Sequence, residues 1–359
     1  MALPLPIAVP TPPFPPQDEG TAWPIASWPR GPVPEGLDLD ALLDQAFDPD
    51  GPCRTTNAVV IIHKGRLIAE RYAGNREFFD REPEPIDSTS SLISWSMAKS
   101  MLQVLTFSLI AEGVFDLNAP LAIPEWSAPG DPRGAITLAE LLAMRDGLSF
   151  IEDYVDGATS DVIEMLFGSG RSDVAHFAAD RPLAHEPGTF YNYSSGTTNI
   201  ISGAIARHFG GGEAYKQELA KRLFGPLAMQ SAEPGFDDAG TFIASSYVHA
   251  TAQDFARFGL CLLRGGVFNG QQVIAPAALE AARTPLSQDP DGLLYSMQFW
   301  LPGDAYGTFA AQGYEGQSIT VCPALDVVLV RLGRTPAERF QAVLDWRWSV
   351  LDAFAQRAG

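Results

Sequence analysis

The segment Ser94-Trp95-Ser96-Met97-Ala98-Lys99-Ser100 contains an S-x-x-K motif formed by Ser96 and Lys99. Apolar residues then recur at helical spacing, which predicts a nearly all-apolar and therefore buried helix over residues 93–112. Side chains three residues apart on a helix share one face, so the Lys99 amine can reach the Ser96 hydroxyl. We therefore predict that the start of this helix carries a reactive pair.

The chemistry of this pair suits nucleophilic catalysis. A serine hydroxyl is a weak nucleophile, and a neutral amine beside it can take its proton if burial brings the lysine pKa toward neutrality. The N-terminus of the helix directs free N–H groups at the site, which favours an anionic intermediate. The alternative is a solvated lysine on a helix face, but the apolar neighbours argue against it. Of the four lysines, only Lys99 follows a serine by three residues.

Strand patterns lie on both sides of this helix in the chain. Residues 57–63 and 66–72 are β-rich around a Lys64-Gly65 turn and predict a hairpin. Further strands are predicted near the other end, over residues 294–301, 307–311, 317–322 and 327–332, before a closing helix over 337–358. The two ends of the chain are therefore expected to build one sheet.

The segment between the two sets of strands is predicted to contain helices and loops. The expected organisation is an α/β domain from residues 37–115 and 241–359 with a mainly helical insert domain over 116–240. Residues 1–36 are rich in proline, which favours extended backbone, so we expect an arm there that lies over the body. An arm that reaches a neighbouring subunit, as in a homodimer, is the open alternative.

Composition excludes several classes of partner. The chain has 359 residues, of which 46% are hydrophobic and 19% charged, and it carries 43 acidic against 24 basic residues for a net charge of −19. Such an acidic chain repels phosphate backbones and anionic lipid surfaces, so nucleic acid and membranes are not expected partners. The N-terminus lacks the basic region and apolar core of a secretory signal, which predicts a cytoplasmic protein.

Metal and cofactor chemistry is not expected. The five histidines show no HxH or HExxH spacing, and Cys53, Cys261 and Cys322 form no CxxC pair. A Ser-His-Asp triad would need a G-x-S-x-G turn, whereas Ser94 and Trp95 precede Ser96. The sequence therefore predicts a reaction without metal or organic cofactor.

Other motifs resemble those of the serine β-lactamase and penicillin-binding-protein superfamily, especially its class C-like esterase and amidase branch. Ser96-Met97-Ala98-Lys99 matches the first motif, and the segment Pro187-Gly188-Thr189-Phe190-Tyr191-Asn192-Tyr193-Ser194-Ser195 resembles the second. Tyr193 falls in the tyrosine position, and Ser195 stands where asparagine is usual. The resemblance covers most of residues 55–335 and implies a β-lactamase-like α/β (α+β) fold, with an antiparallel sheet flanked by helices.

The likeness to 6-aminohexanoate-dimer hydrolases is closer still. It lies in the stretch Glu152-Asp153-Tyr154-Val155-Asp156 and in a third motif, Gly313-Tyr314-Glu315-Gly316-Gln317. The resemblance implies that Tyr154 hydrogen-bonds a substrate amide, and that Gly313, Glu315 and Gln317 belong to the substrate-binding part of the site. It also implies an oxyanion hole made by the backbone N–H groups of Ser96 and Tyr314.

The resemblance implies a serine hydrolase in which Ser96 forms an acyl-enzyme. Lys99 and Tyr193 would share the removed proton, with Lys99 holding Tyr193 toward the phenolate. The third motif departs from the superfamily, because Ala311-Gln312-Gly313 has no cation in its first position. We therefore expect a small neutral ester or a linear amide as substrate rather than a β-lactam. An acyltransferase of the same fold and a ligand-binding relative without turnover remain alternatives.

Overall fold

The computed structural model describes Leu5 and residues 7–77, 80, 82–154 and 160–358. Ten α-helices lie in this part of the chain: α1 Leu39–Phe47, α2 Met97–Ala111, α3 Leu138–Leu142, α4 Asp161–Phe167, α5 Val174–Ala179, α6 Ser195–Phe209, α7 Gly212–Leu219, α8 Ala252–Leu263, α9 Pro276–Arg283 and α10 Phe340–Ala358. No helix among these residues is long and apolar enough to cross a lipid bilayer.

Fifteen strands lie in the same described ranges: β1 Thr55–His63, β2 Arg66–Tyr72, β3 Asn75–Arg76, β4 Glu84–Pro85, β5 Leu92–Ile93, β6 Glu233–Pro234, β7 Val248–Ala250, β8 Val267–Phe268, β9 Gln271–Gln272, β10 Ser287–Gln288, β11 Leu294–Tyr295, β12 Trp300–Leu301, β13 Phe309–Gly313, β14 Gln317–Cys322 and β15 Val327–Arg334. The large sheet has eight strands in the order β10-β11-β12-β13-β14-β15-β1-β2, and all neighbours are antiparallel. The two ends of the chain meet where β1 pairs with β15, so the predicted α/β fold with an antiparallel sheet is confirmed.

Helices cover both faces of this sheet. Successive strand residues point to opposite faces, so β1 divides its side chains between two cores. Ala58, Val60 and Ile62 pack in the core that contains α2 and α8, whereas Val59 and Ile61 pack in the core with α1 and α10. Burial on both faces explains why β1 is apolar at every position from Ala58 to Ile62, and the packing places α2 directly against the sheet.

The proline-rich segment follows the surface of the body. Arginine side chains of the body donate to proline carbonyls in this segment: Arg257 to Pro24 at 2.7 Å and Arg283 to Pro12 at 2.7 Å. Trp28 is buried in the main core. Proline retains its carbonyl acceptor but has no N–H, so the described part of the segment forms an isolated backbone bridge between Arg30 and Leu67 instead of a continuous strand ladder. The domain boundaries at residues 36, 115 and 240 stay a prediction.

Residues 294–301 do not form the single strand that the sequence predicts. A tight turn separates β11 from β12, and Leu294 pairs with Leu301 across it. Gln298 in this turn has φ 63° and is buried, where its Nε2 donates to Leu142 O at 2.8 Å and its Oε1 accepts from Thr198. The hydrogen bonds of the buried Gln298 side chain stabilise the turn between β11 and β12. The alternating apolar pattern of the sequence does not reveal this turn.

Candidate active site

Ser96 lies at the N-terminal cap of α2, at the floor of a cavity. The preceding residue, Trp95, has φ 43°, a left-handed conformation that L-residues rarely adopt and that turns the chain sharply into the helix. Its indole Nε1 donates to Glu315 Oε2 at 3.1 Å, which holds the turn in place. A strained turn directly before a serine presents the hydroxyl at the helix start, where the positive end of the helix dipole lies.

Lys99 lies one helical turn after Ser96 and is 1% exposed. Its Nζ donates to three oxygens: Ser96 Oγ at 2.9 Å, Ser195 Oγ at 3.0 Å and the carbonyl of Ser245 at 3.0 Å. Burial lowers the pKa of Lys99 to about 8, although the nearby charge of Glu152 opposes the shift. A lysine with this pKa can give up its proton close to neutral pH, as a general base must.

Tyr193 faces the same two residues from the loop before α6. Lys99 Nζ lies 5.0 Å from the centre of its ring, and Tyr193 lines the same cavity as Ser96. Burial, reinforced by the negative charge of Glu152, raises the pKa of Tyr193 well above its usual value. The site therefore favours the neutral phenol, in contrast to the expectation that Lys99 holds Tyr193 toward the phenolate.

The turn between β13 and β14 closes the other side of Ser96. A Cβ on Gly313 would lie 2.6 Å from Ser94 O and 3.0 Å from Ser96 N, so only glycine permits this approach. Tyr314 follows directly, and its ring packs edge-on against Trp95 with centroids 5.8 Å apart. The close approach brings the two backbone segments named as the oxyanion hole side by side; their donor role stays a prediction.

The cavity above Ser96 has a volume of about 340 Å³. Predicted site residues that line it are Ser96, Tyr154, Tyr193, Gly313, Tyr314 and Glu315. Four carboxylate residues, Glu152, Asp289, Asp291 and Glu315, are also on its wall, and no described lining residue is a lysine or arginine. The cavity is therefore acidic, with aromatic rings around the nucleophile.

Comparison with known proteins places this site in a family. The profile described as Beta-lactamase matches residues 49–352, which is most of the 359-residue chain. The chain belongs to the Beta-lactamase family.

Several relatives in or near this family carry hydrolase names. The 6-aminohexanoate-dimer hydrolase of Paenarthrobacter ureafaciens is 26% identical over 330 residues, which cover 86% of this chain and 80% of the relative. A solved structure from Bacillus anthracis, named for 6-aminohexanoate-dimer hydrolase, superposes with a TM-score of 0.74 at 22% identity over 93% of this chain and 89% of that one. A family VIII carboxylesterase superposes with a TM-score of 0.66 at 15% identity, and the match covers 89% of this chain and 99% of that one. This Beta-lactamase family chain thus has the fold of amide and ester hydrolases.

Tyr154 reaches the cavity of this Beta-lactamase family chain from the loop before α4. Its ring stacks on Tyr314 with centroids 4.5 Å apart, and its hydroxyl donates to Glu152 Oε1 at 2.8 Å. Burial raises the pKa of Tyr154 well above its usual value, so the group is a neutral hydrogen-bond donor. Val155 and Asp156, which belong to the same sequence motif as Tyr154, lie outside the described residues.

Glu152 contacts the predicted site residue Tyr154 and the second-motif residue Ser195, although the sequence motifs do not assign it a role. Its carboxylate accepts from the backbone N–H of Ser195 at 2.8 Å and from Ser195 Oγ at 2.6 Å, besides the Tyr154 hydroxyl. Two signals were present in the sequence: Glu152 opens the loop motif, and Ser195 replaces the usual asparagine. Only the fold brings the two positions, 43 residues apart, into contact.

Gln317 does not line the cavity with the other third-motif residues. It is buried, and its Nε2 donates to Tyr314 O at 3.1 Å and Gly333 O at 2.6 Å while its Oε1 accepts from Gly333 N at 2.9 Å. Both the Nε2 and the Oε1 of this amide are occupied by backbone groups of the protein itself. Gln317 therefore fixes the turn that carries Tyr314, and its place in the substrate-binding part of the site stays a prediction.

Metal ligands do not cluster in the described ranges. Among residues 7–77, 82–154 and 160–358, no group of three or more His, Cys, Asp and Glu side chains could hold an ion. Cys53, Cys261 and Cys322 are buried free thiols, and burial raises the pKa of each. None of these thiols has the lowered pKa that a thiolate nucleophile requires.

Proposed function

We propose that this protein is a serine hydrolase that cleaves a small carboxylic ester or a linear amide through an acyl-enzyme on Ser96. The observation that carries the proposal is the hydrogen bond of 2.9 Å between Lys99 Nζ and Ser96 Oγ, formed where burial lowers the lysine pKa to about 8. A buried amine with this pKa, directed at a serine hydroxyl, is the arrangement that activates a nucleophile.

In acylation, Ser96 Oγ bonds to the carbonyl carbon while its proton passes to neutral Lys99. The negative charge that develops on the carbonyl oxygen is placed between the backbone N–H groups of Ser96 and Tyr314. Collapse of the intermediate breaks the bond to the leaving group, which takes the phenolic proton of Tyr193 as Lys99 returns its proton to Tyr193. This order uses Tyr193 as a neutral donor, in keeping with its raised pKa.

In deacylation, water attacks the acyl carbon and Lys99 again takes the proton. The acyl–oxygen bond breaks, and Ser96 Oγ recovers its proton from Lys99 as the acid product leaves. Every proton that one side chain accepts is returned within the cycle, so the side chains end in their starting protonation states.

The walls of the cavity support a substrate without a carboxylate near the reacting carbonyl. Asp289, Asp291 and Glu315 line the space, whereas the guanidinium of Arg347 lies behind Gln312 and donates to its Oε1 at 2.8 Å. Carboxylates on the wall repel an anionic substrate. Relatives named for 6-aminohexanoate-dimer hydrolase and carboxylesterase support both the linear amide and the ester.

The test compares the wild type with Ser96→Ala on a short-chain nitrophenyl ester, a linear aminohexanoate amide and a chromogenic cephalosporin. We expect ester or amide turnover in the wild type, little turnover of the cephalosporin, and loss of at least about 10³-fold in Ser96→Ala. A fluorophosphonate probe should label the wild type and not the variant.

Ser108→Ala is the matched control, because Ser108 lies on the same helix α2 and no partner of its Oγ is found among the described residues. It should keep both turnover and labelling. Labelling that survives in Ser96→Ala would overturn the proposal.

A further inference from the structure

The second motif departs from its usual form at Ser195, and the structure shows what this serine contacts. Ser195 is the first residue of α6 and is 0% exposed. Its Oγ lies 3.0 Å from Lys99 Nζ and 2.6 Å from Glu152 Oε1, so one hydroxyl bridges a buried amine and a carboxylate.

The chemistry of the two neighbours sets the direction of these hydrogen bonds. An ionised carboxylate only accepts, and Glu152 already accepts from the N–H of Ser195 and the hydroxyl of Tyr154. The single proton of the Ser195 hydroxyl therefore goes to Glu152, and its oxygen is left to accept from Lys99. Ser195 cannot donate to Lys99 while Glu152 keeps its charge.

This direction determines where the lone pair of neutral Lys99 points. The amine retains two N–H donors, and two of its neighbours, Ser195 Oγ and the carbonyl of Ser245, act as acceptors only. The third direction, toward Ser96 Oγ, is left for the lone pair. We propose that Glu152 and Ser195 are a positioning pair that aims the basic lone pair of Lys99 at the Ser96 hydroxyl. The inference rests on the proposed function, because it assigns a role within that reaction.

The pair also places a charge close to the base. The groups that face Lys99 are Ser96 on its own helix, Tyr193 and Ser195 at the start of α6, Glu152 on the loop before α4 and the Ser245 carbonyl before β7. Glu152 is the negative one among them. An adjacent anion stabilises the ammonium, so removal of this charge lowers the pKa of the base and lets it act at lower pH.

The experiment measures the pH dependence of kcat/KM for ester hydrolysis in the wild type, Glu152→Gln and Ser195→Ala. In Glu152→Gln we expect the acid limb of the pH profile to move down by about 0.5–1 pH unit. We also expect the high-pH plateau to fall by about tenfold, because a neutral amide holds the Ser195 proton less strongly than a carboxylate and lets Ser195 donate to the lone pair. In Ser195→Ala the charge remains, so the plateau of kcat should fall by about tenfold with KM nearly unchanged and a smaller shift of the limb.

Two controls separate this role from a structural one. Glu315→Gln removes another carboxylate of the same cavity, one that bonds Trp95, and its acid limb should stay at the wild-type pH. Tyr154→Phe removes one hydrogen bond to Glu152 but keeps its charge, and its limb should also stay in place. An unmoved limb in Glu152→Gln, or an equal shift in Glu315→Gln, would overturn the inference.

Labelling at Ser96 by the fluorophosphonate keeps the two proposals apart. A wild type that is not labelled would refute the serine hydrolase itself, whereas a labelled wild type whose variants show no change in limb or plateau would refute the positioning pair alone. If Glu152→Gln does not fold by its thermal unfolding curve, Ser195→Ala still decides, because unchanged kcat in that variant contradicts the proposed direction of the hydrogen bonds.

Discussion

Two buried basic side chains lie behind the cavity. One is at the start of α2, and the other, in β15, bonds the turn after β13. Lys99 donates to two serine hydroxyls and a carbonyl at the start of α2. Arg331 of β15 is 0% exposed and donates to the carbonyls of Glu315 at 2.9 Å and Gly316 at 3.0 Å. Its Nη2 also donates to oxygens of Cys53, Thr55, Thr56 and Thr335. One cation therefore faces the nucleophile, and the other holds the backbone around it.

Burial acts on both cations with different consequences. It lowers the pKa of Lys99 to about 8 and that of Arg331 to about 10. Only the lysine comes close enough to neutral pH to lose its proton in a catalytic cycle. The planar guanidinium keeps its charge and offers N–H groups in fixed directions, which suits it to holding several carbonyls at once. The two side chains are equally buried, but the lysine can act as a base whereas the arginine can only support the backbone.

The largest effect is expected when Lys99 at the start of α2 is replaced by arginine, the residue type that holds the turn. Lys99→Arg keeps a charge but cannot release a proton near neutral pH, so ester kcat should fall by about 10³-fold. Lys99→Met, which lacks the amine altogether, should lose as much, and Lys64→Arg at an exposed position should lose nothing. Steady-state kinetics with thermal unfolding curves check this, and Lys99→Arg activity within tenfold of the wild type would contradict the role of Lys99 as base.

A substitution in the second region should lower the stability of the protein more than it lowers catalysis. Arg331→Met removes the guanidinium donor from several carbonyls, and the free energy of unfolding should drop by about 3 kcal/mol. Urea unfolding measures this, with Arg334→Met, an exposed residue at the end of the same strand, as the control. A loss as small as that of the control would show that the turn is held by other contacts.

The smallest effect is expected at Tyr154, which joins the two regions. Its hydroxyl bonds Glu152 on the side of Lys99, and its ring stacks on Tyr314 of the turn. If the hydroxyl also contacts a substrate amide, Tyr154→Phe should lower amide turnover about tenfold more than ester turnover. Parallel kcat/KM values for the ester and the aminohexanoate amide test this, and equal losses on both would count against the substrate contact.

The sequence predicts a contact in the site only when the two residues are close together along the chain. The pairing of Ser96 with Lys99 follows from a helical spacing of three, and the fold supplies the hydrogen bond of 2.9 Å between them. Glu152 and Ser195 could not be linked in this way, because their contact spans 43 residues and depends on how two loops pack. Spacing identifies partners on one helix, but it carries no information about loops that meet only after folding.

The same limit explains why residues 294–301 do not form the predicted single strand. The pattern over residues 294–301 is apolar at the positions a strand would bury, yet the buried side chain of Gln298 draws the backbone into a turn. Gln317 shares a motif with cavity residues but faces inward, where Gly333 uses both ends of its amide. Polar side chains that satisfy buried backbone groups look in sequence like functional ones.

The sequence by itself determined the local elements and the reactive pair: the β1–β2 hairpin, the apolar α2 and the spacing of Ser96 and Lys99, all of which depend on periodicity along one segment. The tertiary structure alone decided the protonation chemistry of the site. Burial of Lys99 among distant segments lowers its pKa, and the charge of Glu152 raises those of both Lys99 and Tyr193. Electrostatic energies depend on distances in space and on the exclusion of water, and both are established only when the chain has folded.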